Sequence, residues 1–372
     1  MSRTNAIIWL SVWLLSSVAT AAGPAPDLSA VTNRIQGWVD KGYYSGCGLW
    51  VADGRRVLCE QYFGAQTPAT VTLIASSGKW LAAATIMSLV DEKKLSLDDP
   101  AAKWLPEFKN DPKGRATLRQ MLSHTSGFPP YQPPGNPVDK YQTLAESVAH
   151  LLPLPPDHAP GEQFDYGGLA LQAAGRMAEI VSRKSWEELF QERIARPCHM
   201  SNTHFTPVDQ GGGHSPMLGG GARTTLRDYA NFLSMIAHDG KFAGRRILSS
   251  RAIAEMQADQ VRGARVKPGE FVERVRGAQH HGIYGLGEWR EEEDAAGNAT
   301  LISSPSWAGA YPWIDKRAGV YGFFIAHIEQ TKPNPGKFSG FYSSPVLALL
   351  VREAMAGATS PVTTGGNPVP GQ

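Results

Sequence analysis

The chain has little cysteine, no block of like charge and no apolar run long enough to cross a bilayer. Three cysteines in 372 residues exclude a disulfide-stapled scaffold. Neither C-x-x-C nor H-E-x-x-H occurs and the ten histidines are dispersed, so no metal-ligand spacing is present and no metal site is expected. Lys plus Arg is 36 against 34 Asp plus Glu, a formal charge of +2; that balance excludes the basic footprint of a nucleic-acid or anionic-membrane binder. G-x-S-x-G is absent and the glycine runs at 211–213 and 219–221 lie outside any Walker pattern, which argues against an α/β-hydrolase and a phosphate cradle.

What is present begins with "MSRTNAIIWLSVWLLSSVATAAG". Arg3 supplies a positive n-region, Ile7 to Val18 an apolar h-region and Ala19-Thr20-Ala21 a small-x-small cleavage pattern, the marks of a secretory signal. The apolar stretch is shorter than the roughly 20 residues that span a bilayer. Residues 1–21 are therefore expected to be a signal peptide, and the mature protein to be exported, periplasmic or secreted, without a membrane anchor. Residues 24–357 read as one domain. The tail 358–372 is too rich in Pro and Gly to bury and is expected to be disordered.

In an oxidising compartment Cys47 and Cys59 are candidates for a bridge. They flank "VADG" in a predicted hairpin. A three-residue bulged turn at Ala52-Asp53-Gly54 sets them opposite each other, whereas a two-residue Asp-Gly turn sets them on opposite faces. Cys198 reads as a buried free thiol.

Apolar spacing predicts a helix at Leu28–Val39, and a helix apolar on most sides begins within "SGKWLAAATIMSLVDEKKL". A further helix, "TTLRDYANFLSMIAHDG", has Thr224 or Thr225 as its N-cap and Gly240 at its end. From about residue 282 the period shortens: "GIYGLGEWR", "ATLISSPS", "AYPWIDK" and "GVYGFFIAHI" are strands, and "SSPVLALLVREAM" is a closing helix. Strands do not alternate with crossover helices. The expected class is α+β, one antiparallel sheet flanked by helices, with a helical lobe inserted over about residues 80–240.

Chemistry concentrates at Ser76-Ser77-Gly78-Lys79, the only Ser-x-x-Lys in the chain. Positions i and i+3 share a helix face, so Lys79 points back at Ser76. Serine is a weak nucleophile until a neighbour takes its proton. Lysine serves as that base only if burial or a nearby cation brings its pKa from about 10.4 towards neutrality. The amide of Ser76, at the positive end of the helix, is placed to hold an oxyanion. The alternative is a capped helix with a solvated lysine.

The stretches "TLIASSGKWLAAATIMSLVDEKKLSLDDPAAKWLPEF", "ATLRQMLSHTSGF", "PGEQFDYGGLALQAAGRMAEIVS" and "GGGARTTLRDYANFLSMIAHDGKF" follow one another in an order that resembles the serine β-lactamase superfamily, the class C branch with its D-alanyl-D-alanine carboxypeptidases and family VIII carboxylesterases. The likeness covers residues 26–356. It implies a β-lactamase/transpeptidase-like fold, Ser76 as nucleophile, Lys79 as its base and a tyrosine facing them. Tyr166 follows a Pro-Gly turn in the right chain order; Tyr229-Ala230-Asn231 matches Tyr-x-Asn in letters but lies within an ordinary helix. Gly168 stands where the family has an asparagine that binds the substrate amide. No Lys-Thr-Gly occurs, and Trp307-Ala308-Gly309 resembles the Trp-Gly-Gly of family VIII esterases. The resemblance thus assigns a second oxyanion amide to Ala310 and a substrate-lining role to Trp307, Gly309 and Tyr311. His124 in "LSHTSG" looks structural.

The expected function is an exported serine hydrolase acting on small esters, or amides, through an acyl-enzyme without metal or organic cofactor. The expected partner is only a small-molecule substrate. A β-lactamase or D-amino-acid peptidase is the nearest alternative, and a non-catalytic ligand-binding descendant is the alternative of another class.

Overall fold

The computed structural model describes residues 25–132, 143–205, 216–266, 271, 282–326 and 338–359. The expected signal segment and nearly all of the expected tail lie outside these residues. Among the described residues no helix is long and apolar enough to cross a membrane.

Chain order is α1 (Ser29–Asp40), β1 (Gly46–Asp53), β2 (Val57–Gly64), α2 (Gly78–Asp91), α3 (Leu169–Ser182), α4 (Leu226–Ala237), β3 (Trp289–Glu293), β4 (Ala299–Ser303), β5 (Tyr311–Asp315), β6 (Val320–Ala326), α5 (Gly340–Ser343) and α6 (Val346–Thr359), with shorter helices between α2 and α3, between α3 and α4, and between α4 and β3. Six strands form one antiparallel sheet in the order β2-β1-β6-β5-β4-β3. The N-terminal hairpin therefore adds to strands laid down some 270 residues later, and the segment between the two sets forms the lobe.

Period-2 alternation explains why both sheet faces are covered. On β6, Val320, Phe324 and Ala326 face a cluster with Val31, Ile35 and Trp38 of α1 and Leu347 and Val351 of α6. Tyr321, Phe323 and Ile325 face the lobe and α4. Arg352 of α6 donates to Asp315 at 2.5 Å and to Glu292 at 3.0 Å, fastening the C-terminal helix to the sheet. Thr225 caps α4 by accepting from the Asp228 amide at 3.2 Å. Helix α2 is buried all the way from Gly78 to Leu89, as its all-round apolar sequence requires.

The hairpin corrects the cysteine expectation. Its turn is closed by the Asp53 carboxylate, which accepts from the Arg55 and Arg56 amides at 2.7 Å each, and by Asp53 N–H to Arg56 C=O at 3.1 Å. This Asx turn lies further along the chain than the predicted one. Cys47 pairs with Phe63, and Cys59 with Val51. The two thiols are four strand positions apart, roughly 13 Å, beyond disulfide reach; both are free, as is buried Cys198.

One carboxyl is enclosed behind α2. Glu288 is fully buried, its oxygens have no hydrogen-bond partner among the described residues, and Lys316, Arg290 and the Trp80 indole offset its burial only in part. Burial pushes its pKa up to about 8. The folded state thus keeps a proton that the unfolded chain releases near 4.5, so stability falls as pH rises from there to about 8 and is level above. Glu288→Gln should flatten this dependence by up to about 1.4 kcal/mol per pH unit. Urea melts between about pH 5 and pH 8 check it; parallel curves for variant and wild type would refute it.

Candidate active site

The nucleophile candidate sits just ahead of α2. Ala75–Ser77 is a 3₁₀ turn and α2 proper begins at Gly78. Ala75 has φ +44°, a left-handed conformation that costs a non-glycine residue about 1–2 kcal/mol. Packing imposes it. Ile74 N–H donates to Ala222 C=O at 3.0 Å, the adjacent pair Thr72–Leu73 bridges Arg223–Thr224, and a Cβ on Gly78 would lie 2.7 Å from that of Ala222. The turn is pinned on both sides.

Lys79 Nζ lies 3.0 Å from Ser76 Oγ and 2.6 Å from Gly219 C=O, to which it donates. It is 4.7 Å from the centroid of the Tyr166 ring. Its side chain is buried, and that burial alone pushes the amine down to about 7. A drop of that size corresponds to about 5 kcal/mol of preference for the neutral amine. Ser76 is itself 8% exposed. Ser77, one residue on, faces away: its hydroxyl donates to Ser304 C=O at 2.6 Å.

Tyr166 is held from behind by His124, 4.6 Å between rings. His124 Nδ1 accepts from the Gly167 amide at 3.4 Å and Nε2 lies 3.2 Å from the Tyr284 hydroxyl. Burial and the nearby Lys79 push His124 well below the ordinary range, so the ring is neutral. With Nδ1 accepting, the proton sits on Nε2 and points to Tyr284. Position 168 has no side chain, and its N–H donates to Pro130 C=O at 2.8 Å. A Cβ on Gly219 would lie 2.7 Å from Gly168 Cα, so these two glycines let the turn at 217–221 approach close enough for the Gly219 carbonyl to reach Lys79.

Tyr229 stands below the site. Its hydroxyl donates to Ser77 C=O at 2.7 Å and its ring stacks on Phe323 at 4.4 Å.

The wall opposite Tyr166 differs from the expectation. Ser304 makes the closer contact: besides accepting from Ser77, whose hydroxyl also lies 3.4 Å from Ala310 C=O, it donates its hydroxyl to Ser76 C=O at 3.3 Å. Residues 306–310 form a tight turn closed by Ser306 N–H to Ala310 C=O at 2.9 Å and Gly309 N–H to Ser306 C=O at 3.1 Å. The Ala310 amide is consumed inside it, donating to Ser306 Oγ at 3.1 Å. Among the described residues, the amides of this turn that have no acceptor are those of Trp307 and Ala308. Trp307 is 46% exposed. Gly309 has φ +107°, and a Cβ there would lie 2.7 Å from the Tyr44 ring. Tyr311 does not line the cleft. Strand alternation turns it to the other face, where it stacks on Trp313 at 5.3 Å and donates to Glu291 at 3.0 Å.

Sequence reasoning passed over Gly219, Tyr284, Ser304 and Trp289. Only Gly219 carried a signal, as part of a run suited to close backbone approach. Among the described residues no three His, Cys, Asp or Glu side chains are grouped to hold a metal.

A serine and a buried lysine whose pKa is brought down to about 7, at the head of a buried helix and faced by a tyrosine, define a site for acyl transfer. The Beta-lactamase family model matches residues 31–337. The chain belongs to that family, within the serine β-lactamase/transpeptidase superfamily. A provisionally named β-lactamase of Bacteroides dorei is 52% identical, with a TM-score of 0.84 over 89% of this chain and 99% of that one. A family VIII carboxylesterase shares the fold at 19% identity, with a TM-score of 0.71 over 91% of this chain and 99% of the esterase. The D-alanyl-D-alanine-carboxypeptidase/endopeptidase AmpH of Escherichia coli is 28% identical over 205 residues, 50% of this chain and 53% of AmpH. Protein flp of Staphylococcus aureus is 26% identical over 179 residues, 45% of this chain and 36% of flp. The chain thus spans about half, or less, of the length of these curated relatives.

The glycine contact is testable apart from any substrate. Gly219→Ala forces the turn away from Gly168 and Lys79. It should slow labelling of Ser76 by a fluorophosphonate probe at least tenfold, whereas Gly357→Ala, a helical glycine in open space, should not. Equal labelling rates in the two variants would remove Gly219 from the site.

Proposed function

We propose that this chain is an exported serine hydrolase that cleaves small carboxylic esters, and amides more slowly, through an acyl-enzyme. The observation that carries the reading is the 3.0 Å approach of Lys79 Nζ to Ser76 Oγ in a pocket dry enough to bring the amine down to about 7. Neutral Lys79 takes the Ser76 proton as Oγ attacks the carbonyl carbon. The oxyanion is held by the Ser76 amide at the positive end of α2 and by an amide of the Trp307–Ala308 pair, in place of Ala310. Tyr166 passes a proton to the departing oxygen, and water then attacks the acyl carbon along the reverse path. These steps use only side chains, backbone amides and water. Export rests on the sequence of residues 1–21.

Esters are favoured over β-lactams and peptides by the bare position 168, which offers no amide to a peptide-like side chain, and by Ser304-Pro305-Ser306 and the exposed Trp307 at the cleft wall, which offer no cation to a carboxylate. The relatives named above keep β-lactams and D-alanyl peptides as the second reading.

The deciding assay compares p-nitrophenyl acetate and butyrate with nitrocefin for wild type and Ser76→Ala. Ester turnover that disappears in the variant, with nitrocefin intact, is the expected result. Efficient nitrocefin cleavage would transfer the protein to the second reading, and turnover unaffected by the substitution would end the hydrolase reading.

The same substrates give a pH prediction. Lys79 acts only when neutral, so kcat/KM should rise about tenfold per pH unit below about 7 and level above it. A profile flat from about pH 5 to pH 8 would contradict lysine as the base.

A further inference from the structure

Aromatic rings continue beyond Tyr166. Its ring is 5.0 Å from that of Trp289, which also packs on Tyr284 and Phe164, the two rings that meet His124. Trp289 lies 5.4 Å from Phe271 and 6.4 Å from Phe341, and those two are 4.8 Å apart. Phe341 meets Tyr342 at 5.1 Å. Burial grades along the array: Trp289 and Phe271 are fully buried, Phe341 is half-buried and Tyr342 is 42% exposed. The row begins in the core, behind the site tyrosine, and ends in solvent.

Helix α5, which carries Phe341 and Tyr342, also closes on the opposite wall. A Cβ on Gly340 would lie 2.8 Å from Gly309 Cα, and the Ser344 hydroxyl donates to Gly309 C=O at 3.4 Å. Contacts therefore run from Ser76 through Lys79 and Tyr166 to Trp289, on to α5, and back through the 304–310 segment to Ser76. The site is ringed, and the arc between Tyr166 and Gly309 is aromatic. On the other side of Lys79 stand the backbones of Gly168 and Gly219, without side chains.

We propose that the Phe341–Tyr342 corner receives the leaving alcohol and makes the enzyme selective for esters of planar, aromatic alcohols. The proposal rests on the hydrolase reading above and names its substrate class. The chemistry fixes the polarity of the site. Ser76 Oγ bonds to the acyl carbon, the bond from that carbon to the alcohol oxygen breaks, and this oxygen takes the proton that Tyr166 relays. The alcohol oxygen must therefore lie beside Tyr166, where the aromatic row starts, and the acyl chain lies towards the glycines. Water then enters where the alcohol left and releases the acid. A planar ring in the corner gains offset and edge contacts with Phe341 and Tyr342; a short alkyl alcohol does not reach them.

The test holds the acyl group constant and varies the alcohol. For wild type, Tyr342→Ala and Phe341→Leu, kcat/KM is measured on 2-naphthyl acetate, ethyl acetate and 2-naphthyl butyrate. Intrinsic leaving-group reactivity cancels when each variant is compared with wild type. The expected result is a fall of about tenfold in the naphthyl-to-ethyl ratio in Tyr342→Ala, a smaller fall in Phe341→Leu, and an unchanged butyrate-to-acetate ratio. Tyr342 is exposed, so its truncation does not hollow the core. A constant naphthyl-to-ethyl ratio overturns the proposal, as does a change in acyl-length preference instead. If wild type turns over none of these esters, the hydrolase reading fails. The corner is then judged by 2-naphthol binding, followed by its fluorescence: weaker binding in Tyr342→Ala upholds an aromatic-alcohol site, and equal binding refutes it.

Discussion

Everything at this site depends on keeping one amine out of water. Among the described residues no neighbouring cation depresses Lys79; burial alone does so. That burial is a property of the architecture and not of the motif. Helix α2 must be covered on every side, and close backbone approaches cover it. Besides Gly78 on Ala222, Gly287 at φ +80° comes so near that a Cβ would lie 2.7 Å from the Lys79 carbonyl. Each of these glycines admits a strand or loop where a methyl group would hold the wall off and let water reach the amine.

The sheet supplies the second requirement, a rigid frame in which remote segments meet. Ser77 and Ser304 are 227 positions apart, yet their contact sets the Ser76 turn against the cleft wall. It exists because β1 and β2 add to β6, so both chain ends build one sheet, and because α6 is clamped to β5 and β3 through Arg352. The strained φ at Ala75 is sustained by the same frame. Hydrogen bonds on both sides of the turn over-determine it, the condition under which such strain persists at functional sites.

Much of this was legible in the sequence, and the parts that were not have physical causes. Periodicity located the last three strands, the buried helix and the Thr225 cap because each depends on local pattern; the strand expected at 282–290 begins only at Trp289. Ser76, Lys79 and Tyr166 meet around one amine as their motif order implied. The Cys47 pairing failed because turn type hinges on a single side chain: the Asp53 carboxylate selects an Asx turn and moves the register. Ala310 and Tyr311 failed for a related reason. A turn that closes on the Ser306 hydroxyl consumes the amide that resemblance assigned to the oxyanion, and strand parity then sends Tyr311 to the far face. His124–Tyr284 and the Gly219 carbonyl join segments far apart in the chain; the glycine run announces a close approach but not what it approaches.

A base tuned by desolvation links chemistry to substrate choice. Lysines depressed by a neighbouring cation keep their low pKa when water enters, whereas one depressed by burial does not. An apolar substrate displaces water from the ring of contacts around Ser76 and preserves the neutral amine at the moment of attack. A strongly hydrated or anionic one brings water or charge beside Lys79 and favours its protonation. The bare backbones at 168 and 219 and the aromatic arc through Trp289 and α5 act in the same sense, since neither offers a hydrated ionic group to the cleft. The selectivity proposed for neutral, apolar esters would therefore follow from how the base is made as much as from which side chains touch the substrate.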